Sequence, residues 1–181
     1  MTISLTGFMG CGKSSVGREL SALLSCSYAD LDSVIELRTG HTVSEIFASA
    51  GEAVFRQMEL EVLKSMLTDN LILSLGGGTV MTAECAELVH KHTLCIYLRT
   101  STDTLVSRLE SEAAGRPLLS SAMKEDGKTA SSEALRNRIQ ELMSGRSAIY
   151  EKTAHIVIDT DGKTITQIAE EIHKRIISEE I

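Results

Sequence analysis

The sequence predicts an α/β fold in three layers, with helices on both faces of a parallel sheet. Short apolar segments of strand length alternate along the chain with longer segments whose apolar residues recur at helical spacing. In addition, residues 7–14, 30–32 and 76–78 bring glycines, a lysine and aspartates to the ends of three of the short segments. Ligands bind beyond the carboxyl ends of the strands in such sheets, so we expect these three segments to meet at one functional edge.

The predicted elements follow from apolar spacing and from the residues that interrupt it. Residues 3–5 form a short strand that ends at Gly7, and residues 13–25 form a helix in which Val16 and Leu20 share one face. The same criteria predict the remaining elements: a strand at 27–31, helices at 43–50 and 53–67 that separate near Gly51, a strand at 71–75 that three glycines end, a helix at 82–91, a strand at 93–98, helices at 102–113 and 133–149, a strand at 155–159 and a helix at 165–177.

Length and composition restrict the class of protein. A chain of 181 residues that is 43% hydrophobic suffices for one domain, over residues 1–181, without a disulfide or a structural metal. The net charge of −7 and the aromatic content of 3% argue against sequence-independent binding of nucleic acid. The sequence has no signal-peptide pattern and no apolar run near the roughly 20 residues of a membrane helix. We therefore expect a cytoplasmic protein with no membrane partner.

The stretch at about 111–132 differs from the rest of the chain. Serine, glutamate, glycine and lysine dominate it, and it has no clear period. Long segments of this kind in a compact domain are usually either functional or disordered. We expect a mobile lid here, and the alternative is a passive insertion.

Residues 7–14 match the phosphate-binding pattern G-x-x-x-x-G-K-[ST] at every position. The predicted strand before them and the amphipathic helix after them are the context that this pattern requires. Glycines let backbone N–H groups turn toward phosphate oxygens, and the helix N-terminus adds partial positive charge. We expect Lys13 to contact the β- and γ-phosphates of a nucleotide and the Ser14 hydroxyl to bind Mg²⁺. A glycine-rich turn with a solvated lysine is the alternative, and the complete match disfavours it.

Two carboxylates, Asp30 and Asp32, follow the second predicted strand. Residues i and i+2 of an extended segment point the same way, so both carboxylates would face the phosphate-binding residues. One of them would support Mg²⁺ through water, and the other would accept a hydrogen bond from a substrate hydroxyl. The alternative is that Asp32 is the N-cap of a following helix.

Arg56 and Glu59 predict a site for an acidic ligand. They are i, i+3 neighbours on a predicted helix, where a carboxylate that fixes a guanidinium prepares it for a bidentate grip on a ligand carboxylate. A solvated surface pair is the alternative. Gly76, Gly77 and Gly78 indicate a close approach of the backbone to a ligand, with a plain turn as the alternative.

Arginines further along the chain offer charge for a phosphoryl group. Arg116 lies in the predicted lid, from which it would close over the transferring group and stabilise its charge. The other cations considered, each typical of a surface charge when taken alone, are Arg108, Arg136, Arg138 and Arg146.

Taken together and in order, these motifs resemble those of the shikimate kinase family. The resemblance rests on residues 7–15, 30–32, 55–56 with Glu59, 75–78, 116–119 and 146–150, and it covers nearly the whole chain. It implies a P-loop kinase with a mobile lid and a fold like that of nucleoside monophosphate kinases, with five parallel strands in the order 2-3-1-4-5. It also implies transfer of the γ-phosphoryl group of ATP, with Mg²⁺, to the 3-hydroxyl of shikimate, on the route to chorismate and the aromatic amino acids.

The resemblance also implies which residues bind ATP and the metal. Mg²⁺ would be held by Ser14 and, through water, by Asp30. Arg108 would lie against adenine, and Arg116 would close over the phosphates. The full set of implied ATP-binding residues is Gly10, Cys11, Gly12, Lys13, Ser14, Ser15, Arg108 and Arg116.

Shikimate would bind to helices within about residues 32–65 and to the glycine segment. Asp32 would bind its hydroxyls and take the proton, so that Lys13, Asp32 and Arg116 would be the catalytic residues. The remaining implied contacts are Arg56 and Arg146 at the carboxylate, Glu59 as the residue that orients Arg56, the N–H groups of Gly76, Gly77 and Gly78, and the nearby rings of Phe47 and Phe55. ATP and shikimate would be the only partners of a monomer.

Some alternatives stay open from the sequence alone. The segment between Arg116 and Arg146 is longer than the family pattern by roughly residues 120–132, so Arg136 and Arg138 compete with Arg146 as the second carboxylate ligand. The pattern Arg-x-x-Ile-Tyr at 146–150 favours Arg146. A kinase for gluconate or a nucleotide and a nucleotide-dependent switch protein are the other possible functions, and the absence of an N-K-x-D pattern argues against the switch.

Overall fold

Five parallel strands form the sheet at the centre of the fold. The structure, a computed structural model, describes residues 1–67, 70–110 and 132–178. The order across the sheet is β2-β3-β1-β4-β5, and each neighbouring pair is parallel. Both the predicted fold class and the predicted strand order are therefore confirmed. The strands are β1 (Thr2–Thr6), β2 (Ser27–Asp30), β3 (Leu71–Ser74), β4 (Thr93–Arg99) and β5 (Ile156–Asp159).

Helices complete the three layers. A short 3₁₀ turn at Thr79–Met81 follows the glycine segment. Helix bounds agree with the predictions to within a few residues, apart from the helix at Leu31–Thr39, which apolar spacing did not predict. The helices are α1 (Lys13–Leu24), α2 (Leu31–Thr39), α3 (Val43–Ala50), α4 (Glu52–Met66), α5 (Ala83–His92), α6 (Thr102–Leu109), α7 (Ser132–Thr153) and α8 (Ile165–Ser178).

The central strands of the sheet are buried along their length. Every residue of β1 and β3 is buried, and so is every residue of β4 except Arg99. Parallel strands that helices cover on both faces are expected to be apolar on both sides, and Leu-Ile-Leu at 71–73 is such a run.

The strand register aligns the carboxyl ends of β1, β2 and β3, which form what is called here the carboxyl edge of the sheet. Leu5 near the end of β1 and Asp30 at the end of β2 both pair with Ser74 at the end of β3. The residues that follow these strands therefore begin at the same height in the fold. They are the phosphate-binding residues, the aspartates and the glycines that the sequence placed there.

Helix α2 corrects the prediction for Asp32. The extended segment expected at residues 30–32 stops at Asp30, and α2 begins at Leu31, so that Asp32 lies in the first helical turn. Asp30 is the N-cap, because its side chain accepts a hydrogen bond from the Ser33 N–H at 3.4 Å. The alternative in which Asp32 caps the helix is therefore wrong as well.

Helices α2, α3 and α4 pack against one another beside the carboxyl edge. They span most of residues 32–65, where the substrate-binding helices were expected. The predicted lid and Arg116 lie outside the described residues, except that Ser132 begins α7. Within the described residues, no helix has both the length and the apolar character to cross a membrane.

Candidate active site

A cavity of about 730 Å³ lies beyond the carboxyl ends of β1, β2 and β3. Residues 9–16, 74–78, Asp30 and Asp32 line it, so the three predicted segments meet as expected. The phosphate-binding pattern and Arg56, one of the two predicted carboxylate ligands, thus share one cavity. Its lining also includes Phe47 of α3, Phe55, Arg56 and Glu59 of α4, Arg108 of α6, and Lys163 ahead of α8.

The phosphate loop has a backbone shape that favours glycine. Gly7, Gly10 and Gly12 have φ angles of 140°, 80° and 102°, which are strained for residues with a Cβ atom. Gly12 is also the N-cap of α1. The loop therefore delivers the N-terminus of a twelve-residue helix to the cavity, and such a terminus attracts anions.

The Lys13 ammonium is fixed within this loop. Its Nζ donates to the carbonyl oxygens of Gly7 at 2.8 Å and of Phe8 at 3.0 Å. Lys13 is buried, with 8% of its surface exposed. A positive charge therefore lies beside the helix terminus, and together they form a site for anions in the cavity.

Ser14 and Asp30 present oxygen atoms next to each other. The Ser14 hydroxyl donates to Asp30 Oδ2 at 2.8 Å, and the Tyr28 hydroxyl reaches the same oxygen at 3.4 Å. Hydroxyl and carboxylate oxygens are the donors that Mg²⁺ prefers, so these two residues fit that metal. The described residues contain no cluster of three His, Cys, Asp or Glu side chains suited to a metal ion. Water and phosphate oxygens would therefore have to supply the other ligands.

Asp32 has an altered proton affinity. Burial, followed by the negative charges of Asp30 and Glu59, raises the pKa of Asp32 from 3.8 to about 6. The positive charges of Lys13 and Arg56 oppose this increase. The cavity thus contains a carboxylate that takes up a proton close to neutral pH.

Arg56 is held by two carboxylates of its own helix. Its Nη1 donates to Glu59 Oε2 at 2.7 Å, and its Nη2 donates to Glu52 Oε1 at 3.1 Å. Glu59 is fully buried, whereas Glu52 is exposed. Burial works to lower the pKa of Arg56, but the two carboxylates outweigh it and raise that pKa. The solvated surface pair is therefore excluded, and the guanidinium is charged and fixed.

The three glycines provide space for side chains as well as for a ligand. A Cβ atom at Gly76 would lie 2.8 Å from Asp32 Oδ1, and one at Gly78 would lie 2.3 Å from Arg56 Nη2. A Cβ atom at Gly77 would lie 3.2 Å from the Met9 nitrogen of the phosphate loop. A plain turn does not explain these contacts, because each glycine meets a different part of the site.

Arg146 contacts the glycine segment, in contrast to the two alternative arginines. Its Nη1 donates to the Gly77 carbonyl oxygen at 3.4 Å, and its guanidinium lies 6.0 Å from the centre of the Phe8 ring. Arg136 instead pairs with Asp103 of α6, and Arg138 pairs with Glu141 of its own helix. Arg146 does not itself line the cavity, so its contact with a ligand stays a prediction.

The remaining predicted residues are placed as follows. Arg108 Nη1 donates to the Gly10 carbonyl oxygen at 3.3 Å, and Ser15 is exposed at the start of α1. The rings of Phe47 and Phe55 lie 4.8 Å apart, with the Arg56 guanidinium 6.0 Å from the Phe47 ring.

Thr79, Tyr150 and Lys163 are among the residues of the site that sequence reasoning missed. The Thr79 hydroxyl donates to Glu59 Oε1 at 2.5 Å, and the Tyr150 hydroxyl donates to the Gly77 carbonyl at 2.5 Å. Lys163 lines the cavity. The position of Thr79 directly after three glycines was a usable signal, but the contacts of Tyr150 and Lys163 depend on chain segments far apart.

The chain is similar to known proteins in sequence and in fold. The model of one protein family, described as shikimate kinase, matches residues 9–177. A shikimate kinase of Thermus thermophilus is 38% identical over 175 residues, which are 96% of this chain and 89% of that protein. One of Chlorobaculum tepidum is 39% identical over the same shares. The structure of shikimate kinase from Acinetobacter baumannii in complex with shikimate superposes with a TM-score of 0.88 at 30% identity, covering 99% of this chain and 94% of that one.

Proposed function

Since this chain belongs to the shikimate kinase family, we propose that it transfers the γ-phosphoryl group of ATP to the 3-hydroxyl of shikimate. The products are shikimate 3-phosphate and ADP, in the biosynthesis of aromatic amino acids. One observation carries the proposal: a fixed guanidinium for an acid and a phosphate-binding loop line the same cavity. A kinase whose acceptor is a carboxylated ring alcohol needs both.

The nucleotide would be bound through the loop and the start of α1. Backbone N–H groups of Gly10, Cys11 and Gly12 would contact the phosphates, and Lys13 would move from its loop carbonyls to phosphate oxygens. The proposed ATP-binding side chains beyond the loop are Ser14, Ser15, Arg108 and Arg116.

Mg²⁺ would be held by the Ser14 hydroxyl and, through water, by Asp30. When bound with ATP, this ion neutralises charge on the phosphates. The hydrogen bond between Ser14 and Asp30 already brings the two oxygens together.

Shikimate would be bound by its carboxylate and its hydroxyls. Arg56, which Glu59 fixes, and Arg146 would grip the carboxylate, and the N–H groups of 76–78 would contact the ring. Asp32 would accept a hydrogen bond from the reacting hydroxyl. This arrangement would aim the 3-hydroxyl at the γ-phosphorus.

The transfer of the phosphoryl group would be an in-line displacement at the γ-phosphorus. The 3-hydroxyl oxygen forms a bond to the γ-phosphorus, and the bond to the oxygen bridging the β- and γ-phosphorus atoms breaks. The hydroxyl proton goes to Asp32, whose pKa of about 6 suits a base at neutral pH. Lys13 and Arg116 would stabilise charge on the transferring group and the departing ADP.

We further propose that the chain acts as a monomer in the cytoplasm. The cavity needs no second chain, because the phosphate loop and the proposed carboxylate clamp, Arg56 with Arg146, belong to the same chain. Its partners would be ATP and shikimate alone, with no nucleic acid and no membrane.

An ADP-release assay with a panel of acceptors tests the function. We expect turnover with shikimate and ATP-Mg²⁺ and none above the background with gluconate or nucleoside monophosphates. Shikimate that lacks its carboxylate should be a much poorer acceptor. Equal turnover with and without the carboxylate, or preference for another acceptor, would refute the proposal.

A further inference from the structure

We propose that the Thr79 hydroxyl is a positioning group for the carboxylate clamp, because it fixes Glu59, which in turn fixes Arg56. This inference rests on the proposed function, since it takes Arg56 as a ligand of the shikimate carboxylate. Thr79 is itself fully buried, so it would act through Glu59 and Arg56 without touching the substrate.

Two hydrogen bonds join Thr79, Glu59 and Arg56, and these three linked side chains are called the relay here. The Thr79 hydroxyl donates to Glu59 Oε1 at 2.5 Å, and Arg56 Nη1 donates to Glu59 Oε2 at 2.7 Å. Neither Thr79 nor Glu59 exposes any of its surface. Each carboxylate oxygen of Glu59 therefore accepts one of these two hydrogen bonds. The two bonds together fix the plane of the carboxylate, and this plane sets the orientation of the Arg56 guanidinium.

The relay is anchored to the glycine segment. The Thr79 N–H donates to the Gly76 carbonyl oxygen at 3.1 Å, which closes a tight turn over residues 76–79. A Cβ atom at Gly76 would lie 3.0 Å from Thr79 Oγ1 and 3.1 Å from Glu59 Oε1. The glycine thus leaves room for this hydrogen bond, and the bond joins the loop that would contact the ring to the helix that carries Arg56.

Loss of the Thr79 hydroxyl is expected to weaken the binding of the acceptor, because it leaves one oxygen of Glu59 without a hydrogen-bond donor. A buried carboxylate oxygen without a donor is costly, and it regains one by rotating toward another donor or by drawing in water. Either movement turns the Glu59 carboxylate, and the Arg56 guanidinium turns with it. Bidentate recognition depends on the orientation of the guanidinium, so the affinity for the acceptor falls.

The test replaces the hydroxyl by a methyl group of similar size. Thr79→Val should raise the KM for shikimate by about tenfold, as expected when a misplaced Arg56 loses one hydrogen bond to the substrate carboxylate. The KM for ATP should stay unchanged, and kcat should change much less than the KM for shikimate. Thr79→Ser, which keeps the hydroxyl, should behave like the wild-type protein.

Thr93→Val is the matched control. Thr93 is also buried, and its hydroxyl bonds Ser4 Oγ at 2.7 Å and the Val89 carbonyl oxygen at 2.7 Å, at the opposite end of the sheet. This variant should lower the melting temperature without raising the KM for shikimate. If Thr79→Val also lowers the melting temperature without raising the KM for shikimate, Thr79 has only a structural role and the inference is wrong. Thr79→Ala serves the same comparison if the valine variant does not fold.

A double-mutant cycle with Arg56→Lys separates this inference from the proposed function. In the lysine background, Thr79→Val should raise the KM for shikimate by no more than about twofold, because the clamp on which it acts is already lost. Independent effects of the two substitutions would overturn the relay. A wild-type protein that does not phosphorylate shikimate would refute the function, whereas an active wild type with additive effects would refute only the role of Thr79.

Discussion

Asp32 lies among charges that change its proton affinity in opposite directions. Burial and the carboxylates of Asp30 and Glu59 favour the protonated form, whereas Lys13 and Arg56 favour the ionised form. The resulting pKa of about 6 leaves Asp32 mostly ionised at neutral pH and still able to accept a proton. The environment of this residue therefore suits the acceptance of a proton from an alcohol.

The pH dependence of the reaction tests this role. With ATP-Mg²⁺ saturating, kcat/KM for shikimate should fall as the pH drops through about 6, because protonated Asp32 accepts no proton. Asp32→Asn should lower kcat by at least about a hundredfold, and Asp32→Glu should cost less because it keeps the charge. Equal losses in the two variants would count against a role that needs negative charge.

Lys13 is predicted to act on the phosphates and not on the acceptor. Its ammonium is held by carbonyls of the phosphate loop, so Lys13→Ala should abolish transfer and leave the binding of shikimate largely intact. Turnover and calorimetric titration with shikimate measure the two properties. Lys91→Ala, which removes an exposed lysine paired with Glu87, is the control and should change neither. Loss of shikimate binding in Lys13→Ala would show that the two subsites are misassigned.

At the scale of elements, the helices and strands differ in how far the sequence predicts them. The phosphate loop with α1 was predictable because glycine spacing and apolar periodicity are both local. Apolar spacing did not predict α2, because its cap, Asp30, is also the last residue of β2 and no loop separates the two elements. Only the resemblance, which implied substrate-binding helices within about residues 32–65, covered this part of the chain. The hydrogen bonds of Thr79 and Tyr150 join segments 20 and 73 residues apart. The sequence therefore does not reveal these partners, although it places Thr79 directly after the glycines.

The glycine segment shows how a loop depends on neighbouring helices. The sequence indicated close approach of a ligand, but the structure places Asp32 of α2 and Arg56 of α4 where the Cβ atoms of Gly76 and Gly78 would be. These glycines are therefore needed for the packing of the site before any ligand arrives.

Gly78→Ala tests this packing. Its Cβ would come too close to Arg56 Nη2, so the guanidinium has to turn away and its hydrogen bonds to Glu59 and Glu52 weaken. We expect a lower melting temperature and a KM for shikimate raised by about tenfold, the effect of losing one charged hydrogen bond to the substrate. Gly145→Ala in α7 is the control, because nothing lies within 4 Å of the added Cβ. Equal KM values in the two variants would contradict the predicted displacement of Arg56.

At the scale of the whole molecule, the ionised Asp32 side chain reduces stability. The pKa of Asp32 is higher in the folded protein, about 6, than its ordinary value of 3.8, so the folded state binds the proton more tightly. By linkage, the ionised side chain is destabilising above about pH 6, and this effect disappears as the pH falls toward 3.8. The carboxylate that we propose as the base therefore lowers the stability of the folded protein when it is ionised.

Asp32→Asn should therefore stabilise the protein while it destroys activity. The two pKa values correspond to at most about 3 kcal/mol in the free energy of unfolding at pH 8, and the gain should vanish near pH 4. Denaturant titrations of variant and wild type at each pH measure it. Asp159→Asn should instead lower the free energy of unfolding at pH 8, because hydrogen bonds to Arg99 lower the pKa of Asp159 and so favour its ionised form in the folded protein. A destabilised Asp32→Asn at pH 8 would contradict the account.

The most direct measurement of the central claim, that acceptor and γ-phosphate meet in one cavity, is a crystal structure with shikimate, Mg²⁺ and a non-hydrolysable ATP analogue. It should place the 3-hydroxyl oxygen about 3–3.5 Å from the γ-phosphorus, with the carboxylate on Arg56 and Asp32 at the reacting hydroxyl. Shikimate bound away from the γ-phosphate, or with its carboxylate directed away from Arg56, would contradict the claim.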